Sequence, residues 1–393
     1  MPKILILTSL FPNTKKPDLG IFIQKRMFAY ARKKACKIEV VAPVPYCPDL
    51  KFLRPYQYYS QVPFHETMDG INVYHPRYFM IPKASMTIHG KLIYWGIKNF
   101  VQELHKKSAF DLIDGHFIYP DCQAGILLGE LLHLPVVVSA RGSDINQYMS
   151  YSTIKPQISE ILTKSSHIIS VCEALKQMML EICPDEKKIT VIPNGIDKKY
   201  FHQINKKTAR LKLGINNDKH ILLSIGALIP RKGHDLTIKA AAQLIKSKTP
   251  LQFYIIGSGP EEQRLKKLAE HLKIQSDIFF MGQIPNDQLI DWYNAADLFC
   301  LSSDKEGWPN VLTESLACGT PVIATKVFGA PEIVKNESMG ILVERRYEDI
   351  AGGIAKGLAN NWNRSAISQE VSSRTWDVVA EECSLVFDEV LAR

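Results

Sequence analysis

The sequence predicts two doubly wound α/β domains in series, and two observations support that prediction. The chain has 393 residues, of which 46% are hydrophobic and 22% charged, a composition typical of a globular protein large enough for two domains. Short apolar runs alternate with segments of helical spacing, and this alternation pauses near residue 200 and then restarts. Because the runs lack the polar alternation of half-exposed strands, we expect parallel sheets that helices cover on both faces.

The first domain is expected over residues 1–200. Its predicted strands are 4–7, 38–41, 112–114, 136–139, 167–171 and 189–192, and its predicted helices include 21–32, 87–104 and 173–181. The polar segment 202–210 follows the turn signal Pro193-Asn194-Gly195 and is interpreted as a linker.

The second domain is expected over residues 201–370. Its predicted strands are 221–226, 252–257, 278–281, 298–301 and 321–324, and its predicted helices include 232–246 and 261–272. The remaining segment, 371–393, has the apolar spacing of an amphipathic helix. Periodicity leaves open whether this helix packs on the second domain or on the first.

Net positive charge is concentrated in the first half of the sequence. Residues 1–200 contain 25 Lys and Arg against 17 Asp and Glu, whereas the remainder contains 23 basic and 23 acidic residues. This asymmetry indicates attraction to nucleic acid, an acidic ligand or an anionic membrane, with a simply soluble basic face as the alternative. The eight cysteines include no Cys-x-x-Cys pair, and no apolar run reaches the ~18–20 residues that span a bilayer, which favours a reduced, cytoplasmic protein.

The strongest pattern is a pair of glutamates, Glu306 and Glu314, with seven residues between them. Asn310 is expected to cap a helix that starts near Val311 and leaves its first backbone N–H groups exposed, which suits a diphosphate. Glu306 would then lie beside the group attached to the phosphates, and Glu314 would accept hydrogen bonds from a ribose diol. The alternative is two solvated glutamates that flank a loop.

Two further turns follow predicted strands of the second domain. Arg231 and Lys232 lie in a Pro-Arg-Lys-Gly turn and would neutralise the diphosphate, although such a turn alone is typical of a protein surface. Gly257 begins a Gly-Ser-Gly turn in which Glu262 breaks the dinucleotide fingerprint, which argues against nicotinamide or flavin. Close approach to a base or ribose and tight helix–sheet packing both remain open for Gly257.

Candidate residues of the first domain also follow strands. Gly20 opens a helix and would bring backbone amides near phosphate, while His116 is expected at the carboxyl edge of the sheet, with a purely structural histidine as the alternative. Arg141 and Asp144 would hold an acceptor or an anionic group. The chain contains no Asp-x-Asp motif, so the usual pair of carboxylates that holds a divalent metal on a sugar nucleotide is missing. It also contains no P-loop, His-Glu-x-x-His or Gly-x-Ser-x-Gly motif, so the sequence does not support a P-loop protein, a zincin or an α/β-hydrolase.

Together these motifs resemble family 4 of the retaining glycosyltransferases. The resemblance rests on the glutamate pair and on four further segments: Pro230-Arg-Lys-Gly233, Ile256-Gly-Ser-Gly-Pro-Glu261, Val191-Ile-Pro-Asn-Gly-Ile-Asp197 and the Trp-Asp start of the last helix. Segments 114–121 and 140–144 resemble the branch that includes bacterial teichuronic-acid and exopolysaccharide transferases.

This resemblance implies a GT-B fold, in which two Rossmann-like domains face a cleft and the last helix crosses back to the first domain. It implies hexosyl transfer from a UDP- or GDP-sugar, with retention and without an essential metal. By motif position, the resemblance implies that Arg231 and Lys232 bind the diphosphate, that Glu306 binds the sugar hydroxyls and that Glu314 binds the ribose. It implies that the backbone of Asn310, Val311 and Leu312 contacts the donor. In the first domain it implies that Gly20 approaches the phosphates and that His116 lies near the anomeric carbon. Ala227 and Arg141 depart from the Arg and His common among relatives.

Two other functions stay open from the residues alone. One is a nucleotide-sugar 2-epimerase, which would need a set of carboxylates in the first domain that the sequence does not display. The other is a non-catalytic sugar-nucleotide-binding protein, which would not need His116, Lys232, Glu306 and Glu314 together. The expected partners are a nucleotide sugar and a glycan or lipid-linked acceptor, not nucleic acid. Contact with an anionic membrane surface is expected through basic residues of the first helix (Lys25, Arg26, Arg32, Lys33 and Lys34) and through 54–59 and 87–107, with a solvated face as the alternative.

Overall fold

The structure is a computed structural model that describes residues 2–47, 57–81, 84–215 and 218–393. It divides into two compact units. Unit 1 comprises Met1–Gly195 and Trp376–Arg393, and unit 2 comprises Ile196–Thr375. Each unit has a sheet of mainly parallel strands with helices around it, so the predicted α/β class is confirmed.

Unit 1 is built on an eight-stranded sheet. Its strands are β1 (Lys3–Leu7), β2 (Lys37–Val41), β3 (Val44–Pro45), β4 (His65–Met68), β5 (Ile71–Tyr74), β6 (Arg77–Tyr78), β7 (Leu112–His116), β8 (Val136–Ala140), β9 (His167–Ser170) and β10 (Ile189–Val191). The sheet order is β10-β9-β8-β7-β1-β2-β5-β4, antiparallel only at β4, while β3 and β6 form a separate pair. Its helices before residue 195 are α1 (Ile21–Lys34), α2 (His89–Ser108), α3 (Gln123–Leu132), α4 (Ser143–Asn146), α5 (Lys155–Lys164) and α6 (Glu173–Leu180).

Unit 2 is built on a six-stranded, all-parallel sheet. Its strands are β11 (His220–Ile225), β12 (Leu251–Ile256), β13 (Ile278–Phe280), β14 (Leu298–Leu301), β15 (Val322–Thr325) and β16 (Gly340–Val343). Its helices are α7 (Lys206–Lys212), α8 (His234–Lys246), α9 (Glu262–His271), α10 (Leu289–Ala295), α11 (Asn310–Ala317), α12 (Ala330–Ile333), α13 (Tyr347–Ala359) and α14 (Arg364–Ser372).

The strand order of unit 2 locates its ligand crevice. The order β13-β12-β11-β14-β15-β16 reverses direction between β11 and β14. One apolar cluster covers the sheet face that carries α10 and α11, and another covers the face that carries α8 and α13. In open parallel sheets of this kind, ligands bind beyond the carboxyl ends of the two strands at which the order reverses.

The predicted linker over 202–210 is wrong, because most of this segment is folded into unit 2. Asn205 caps α7 by accepting hydrogen bonds from the N–H groups of Lys207 and Thr208. The buried guanidinium of Arg210 lies 2.7 Å from Asp297, and Lys206 pairs with the same carboxylate. Two of the polar residues that suggested a linker therefore form a partly buried ionic contact with Asp297.

The last helix, α15 (Trp376–Leu391), belongs to unit 1 and packs against α1. Phe387 meets Tyr30 edge to face at 5.1 Å, and Asp377 lies 3.0 Å from Arg32. Glu381 pairs with both Lys33 (3.1 Å) and Lys34 (2.6 Å). The apolar stripe of α15 thus provides the packing, and its carboxylates meet the basic end of α1.

The charge asymmetry of the sequence does not survive in the folded units. Because α15 adds carboxylates to unit 1, that unit contains 24 basic and 21 acidic residues, against 24 and 19 in unit 2. The prediction that the basic residues of α1 face a membrane is wrong for Arg26, which is fully buried, and Arg32, Lys33 and Lys34 are ion-paired. Of segment 54–59, residues 54–56 lie outside the described residues. No helix of the described residues is long and apolar enough to span a bilayer.

Candidate functional site

The loops that follow β11 and β14 are hydrogen-bonded to each other at the point where the strand order reverses. The Ser302 hydroxyl donates to the Gly233 carbonyl at 2.7 Å and lies 2.8 Å from the Thr237 hydroxyl. The Asp304 N–H donates to the Arg231 carbonyl at 2.8 Å, and the Arg231 guanidinium donates to the Lys305 carbonyl at 3.0 Å. The cationic turn and the glutamate loop therefore form one rigid structure at the predicted crevice.

Lys232 and Glu306 form an ion pair across these two loops. The Lys232 Nζ lies 2.5 Å from Glu306 Oε1, and the two side chains are 17% and 9% exposed. An ammonium group has three N–H donors, so Lys232 can hold Glu306 and still donate to an anionic ligand. The structure therefore brings the sequence-predicted cation and carboxylate together, and their roles toward a ligand stay a prediction.

Helix α11 begins one residue earlier than expected, so the prediction that Asn310 caps it is wrong. Pro309 occupies the cap position, no side chain caps the helix, and Asn310 is its first residue. The Leu312 N–H already donates to the Pro309 carbonyl at 3.0 Å. The amides of Asn310 and Val311 are therefore the ones that an anion would meet at this N-terminus.

Glu314 is held by a residue that the sequence did not single out. The Tyr293 hydroxyl, at the inner face of α10, donates to Glu314 Oε2 at 2.8 Å. Tyr293 is fully buried, and burial together with the adjacent carboxylate raises the pKa of its phenol well above the usual range. Tyr293 therefore stays protonated and fixes the orientation of the Glu314 carboxylate.

Gly257 is required by packing between the β11 and β12 loops. Its φ is +139°, and a Cβ atom there would collide with the Gly226 carbonyl oxygen. The Leu228 N–H donates to the Ser258 carbonyl at 2.9 Å, which joins the two loops. This contact explains the glycine without a ligand, so a role for Gly257 toward a base or ribose stays a prediction.

In unit 1, the carboxyl ends of β7 and β8 bring His116 and Arg141 together. The His116 Nδ1 lies 2.6 Å from Arg141 Nη2, and its Nε2 lies 3.0 Å from the Asp114 carboxylate without hydrogen-bond alignment. Arg141 Nη1 donates to Asn194 Oδ1 at 3.3 Å. All of these residues are buried, and the fully buried Arg26 donates to Ser139 and Cys383 nearby.

The protonation state of His116 follows from these neighbours. Burial lowers the pKa of His116 to about 4, with Asp114 opposing and Arg141 reinforcing the shift. The ring is therefore neutral near pH 7. Because a guanidinium can only donate, Nδ1 is the acceptor and the proton lies on Nε2, toward Asp114. Burial and the nearby Arg26 lower the pKa of Arg141 to about 9, which leaves it cationic at neutral pH.

Asp144 and Asp121 hold loops in unit 1. Asp144 is fully buried and accepts from the N–H groups of Arg141, Gly142 and Ile118 at 2.7–3.1 Å. Asp121, also buried, accepts from the N–H and hydroxyl of Ser9. With Asp114 they are three buried carboxylates of the first domain, of which the sequence singled out only Asp144, and backbone and hydroxyl donors satisfy Asp144 and Asp121.

Gly20 lies on a different loop of unit 1, at the N-terminus of α1. Its φ is +63°, and a Cβ atom there would collide with the Leu10 carbonyl oxygen. The structure thus brings the predicted site residues together in two groups. Unit 2 groups Arg231, Lys232 and Glu306 near the start of the helix that carries Asn310, Val311, Leu312 and Glu314, and unit 1 groups His116, Arg141 and Asp144.

Comparisons with known proteins identify the family to which each half of the chain is similar. The family model for glycosyl transferases group 1 matches residues 205–374, and the model for Glycosyltransferase Family 4 matches residues 30–200. The chain is 27% identical to the putative teichuronic acid biosynthesis glycosyltransferase TuaC of Bacillus subtilis (strain 168) over 362 residues, which cover 90% of this chain and 88% of that protein.

Solved structures show the same fold along the whole chain. Sucrose-phosphate synthase from Thermosynechococcus elongatus aligns with a TM-score of 0.79 and 19% identity, covering 100% of this chain and 99% of that one. Anabaena HepE in complex with UDP and glucose aligns with a TM-score of 0.74 and 18% identity, covering 99% of each chain. Fold and matched models together define a glycosyltransferase of the GT-B class. Within that class the chain belongs to glycosyltransferase family 4, as its motifs suggested.

Proposed function

We propose that the enzyme transfers a sugar from a nucleoside-diphosphate donor to a hydroxyl acceptor, with retention of anomeric configuration and without an essential metal ion. The observation that carries this proposal is the Lys232–Glu306 ion pair at the strand-order reversal of unit 2. In the proposed complex, Lys232 and Arg231 bind the diphosphate together with the first amides of α11.

The chemistry follows from where charge develops. Cleavage of the bond between the anomeric carbon and the phosphate oxygen leaves additional negative charge on the departing diphosphate. Fixed cations and oriented amides stabilise that charge more in the transition state than in the ground state, which lowers the barrier. Lys232 is already fixed by Glu306, so little reorganisation is needed when the charge appears.

In the proposed transfer step, the acceptor hydroxyl attacks the anomeric carbon from the side of the departing diphosphate. The new carbon–oxygen bond forms as the sugar–phosphate bond breaks, and the hydroxyl proton passes to the leaving phosphate oxygen. Glu306 accepts hydrogen bonds from the donor sugar, and Glu314, held by Tyr293, accepts them from the ribose. Attack on that face retains the anomeric configuration.

The acceptor side is proposed to lie in unit 1. Arg141 is a buried cation whose Nε has no hydrogen-bond partner among the described residues, which suits an anionic or hydroxyl-rich acceptor. His116 positions Arg141 through its Nδ1, and Asp144 shapes the loop that carries Arg141. Gly20 is proposed to admit the donor phosphates close to the α1 backbone.

We propose a UDP- or GDP-sugar as the donor and a glycan or lipid-linked acceptor in cytoplasmic polysaccharide or glycolipid synthesis. Support for the donor class comes from the similarity in fold to HepE, which was crystallised with UDP and glucose. Support for the pathway comes from the similarity to a protein named for teichuronic acid biosynthesis.

The test begins with a thermal-shift screen of UDP- and GDP-sugars on the full chain, followed by transfer assays with the stabilising donor. NMR of the product reports its anomeric configuration, and incubation of the donor alone would expose an epimerase. Lys232→Ala and Glu306→Ala should each lower the turnover number by about 100-fold or more, whereas the exposed controls Lys246→Ala and Glu270→Ala should not. Unchanged turnover in both site variants, or an inverted product, would overturn the proposal.

A further inference from the structure

We propose that Arg26 is a positioning residue for the acceptor side of the site. It acts through Asp114 on the protonation of His116, which in turn orients Arg141. Arg26 lies on α1 and is fully buried, whereas an arginine is almost never fully buried unless a partner balances its charge. Its surroundings therefore show what the buried charge stabilises.

One face of the unit 1 sheet changes from apolar to charged toward its carboxyl edge. Leu112 and Val137 pack in the apolar cluster that α1 and α15 complete. Side chains two residues apart on a strand point to the same face, so Asp114 and Ser139 come next on that face. His116 follows at the edge, opposite Ser139 in the register of β7 and β8. The two helices that cover this face therefore meet buried charge beyond the apolar core.

The Arg26 guanidinium joins α1 to β8 and α15 at this point. Its Nη1 donates to the Ser139 hydroxyl at 3.2 Å, and its Nε donates to the Cys383 sulfur at 3.0 Å. Its Nη2 has no hydrogen-bond partner among the described residues. Burial raises the pKa of the Cys383 thiol, so neither partner carries a charge at neutral pH. The positive charge of Arg26 must therefore be balanced by another group nearby.

Asp114 is the carboxylate whose ionisation depends on Arg26. It is fully buried, and within the part of the chain that the structure describes neither of its oxygens accepts a hydrogen bond. Burial opposes its ionisation, but the adjacent His116 ring and the Arg26 guanidinium bring the pKa of Asp114 below its usual value. Arg141 acts in the same direction. Asp114 is therefore ionised at neutral pH, and nearby charge rather than hydrogen-bond donors stabilises it.

The charge on Asp114 fixes which nitrogen of His116 carries the proton. The carboxylate lies 3.0 Å from Nε2 and favours a proton there, which leaves Nδ1 to accept from Arg141 Nη2 at 2.6 Å. Without Arg26, the Asp114–His116 pair would take up a proton at higher pH, because one opposing cation is gone. A proton on Nδ1 would then face an N–H of Arg141, and two donors cannot bond. Arg26 thus preserves the contact that orients Arg141.

Other titratable groups also surround the Asp114–His116 pair. The charged and titratable side chains packed around it are Arg26 on α1, Arg141 after β8, Cys383 on α15, Asp121 and Cys122 after β7, and Asp144 on α4. Burial keeps both thiols protonated at neutral pH. Burial raises the pKa of Asp121 to about 7, so Asp121 titrates in the range of interest. Variants that all retain Asp121 share this contribution, and their comparison isolates the effect of Arg26.

The experiment is heteronuclear NMR of the full chain with labelled histidine, in which His116→Gln identifies the His116 signals among the 11 histidines. In the unmodified chain, Nδ1 should stay unprotonated until the pH approaches the His116 pKa of about 4. In Arg26→Met, Nδ1 should gain a proton at a pH at least about 1 unit higher. The value of kcat/KM for the acceptor should fall by about tenfold or more near neutral pH, while nucleoside-diphosphate affinity stays the same.

Two further variants keep the proposal testable if Arg26→Met does not fold. Arg26→Lys retains the cation and should keep Nδ1 unprotonated. Arg26→Met/Asp114→Asn removes both charges, and the new amide oxygen can accept from Nε2–H, so the native tautomer and part of the acceptor kinetics should return. The matched control is Arg210→Met, which removes another buried arginine that contacts a carboxylate. At temperatures where it is folded, this control should leave the His116 titration and the acceptor kinetics unchanged.

The inference rests on the proposed function, which places the acceptor at Arg141, but the NMR titration needs no substrate. An unchanged Nδ1 titration in folded Arg26→Met, a shift in Arg26→Lys as large as in Arg26→Met, or an equal shift in Arg210→Met would overturn the proposal. A shifted titration with unchanged acceptor kinetics would refute the positioning role. A failure of the proposed function would be seen separately, as the absence of transfer by the unmodified chain.

Discussion

Removing one partner of the Lys232–Glu306 pair should have two separable effects, one on stability and one on turnover. Loss of one member of a fully buried ion pair costs about 3–5 kcal/mol, because the remaining charge stays desolvated. Here Lys232 is 17% and Glu306 9% exposed, so water partly solvates the remaining charge. We therefore expect Lys232→Met and Glu306→Gln each to destabilise unit 2 by about 2 kcal/mol.

The double variant distinguishes the two effects. Lys232→Met/Glu306→Gln leaves no unpaired charge, so we expect it to be destabilised by only about 1 kcal/mol. This is about 3 kcal/mol less than the sum of the two single effects, and the difference is the coupling energy of the pair. For a unit that spans Ile196–Thr375, the melting temperature should fall by about 4–8 °C in the single variants and about 2–4 °C in the double variant. Turnover should remain at least about 100-fold reduced in all three variants, because the cation at the diphosphate or the carboxylate at the sugar is missing.

The assay pairs differential scanning calorimetry with initial-rate measurements on the same four proteins. Additive destabilisation in the double variant would show that the two side chains do not interact in solution. Turnover that recovers together with stability would show that the pair is only structural, and the account of the donor site would be refuted.

Three further predictions follow from contacts in the two units. Tyr293→Phe removes the hydrogen bond that orients Glu314, so KM for the donor should rise about tenfold with little change in kcat, as steady-state kinetics would report; an unchanged KM would contradict the ribose role. Burial, reinforced by Lys232, lowers the pKa of His234 to about 4 from its ordinary value of 6.5. The neutral imidazole therefore contributes its full share of the free energy of unfolding above pH 6.5, and this contribution is lost as the pH falls toward 4. His234→Asn should flatten that acid-side slope in thermal melts, by up to about 3 kcal/mol, and an unaltered slope would assign the loss to other groups. Asp297→Ala leaves the buried Arg210 guanidinium without its carboxylate partner, so the free energy of urea unfolding of unit 2 should fall by about 3 kcal/mol. Nucleotide affinity should stay the same, and a loss of affinity in the fully folded variant would contradict this prediction.

Buried strands were the elements that the sequence predicted best. The prediction of 298–301 coincides with β14, and the predictions for β11 and β12 are each shifted by one residue. Such strands are continuous apolar runs because both faces of the sheet are covered. Strand β16, Gly-Ile-Leu-Val at the sheet edge, was missed although three of its four residues form an apolar run. The β4–β5 hairpin was missed because His, Glu and Asn interrupt its apolar pattern.

The site residues were predictable where a motif follows a strand. Lys232 and Glu306 are 74 residues apart in sequence, yet both follow strands that flank the reversal, so topology alone brings them together. Tyr293 and Arg26 could not be found in this way. Tyr293 lies on the apolar side of a helix like any core aromatic, and Arg26 has the sequence surroundings of an ordinary surface cation, although α15, 357 residues further on, covers it.

The central claim, that the donor diphosphate binds at Lys232, is tested most directly by calorimetric titration of a nucleoside diphosphate and the matching monophosphate. The full chain, Lys232→Met and the control Lys267→Met should be titrated under the same conditions. We predict that the second phosphate strengthens binding to the full chain and to the control by about tenfold or more, and that this advantage disappears in Lys232→Met. An undiminished preference for the diphosphate in Lys232→Met would contradict the account.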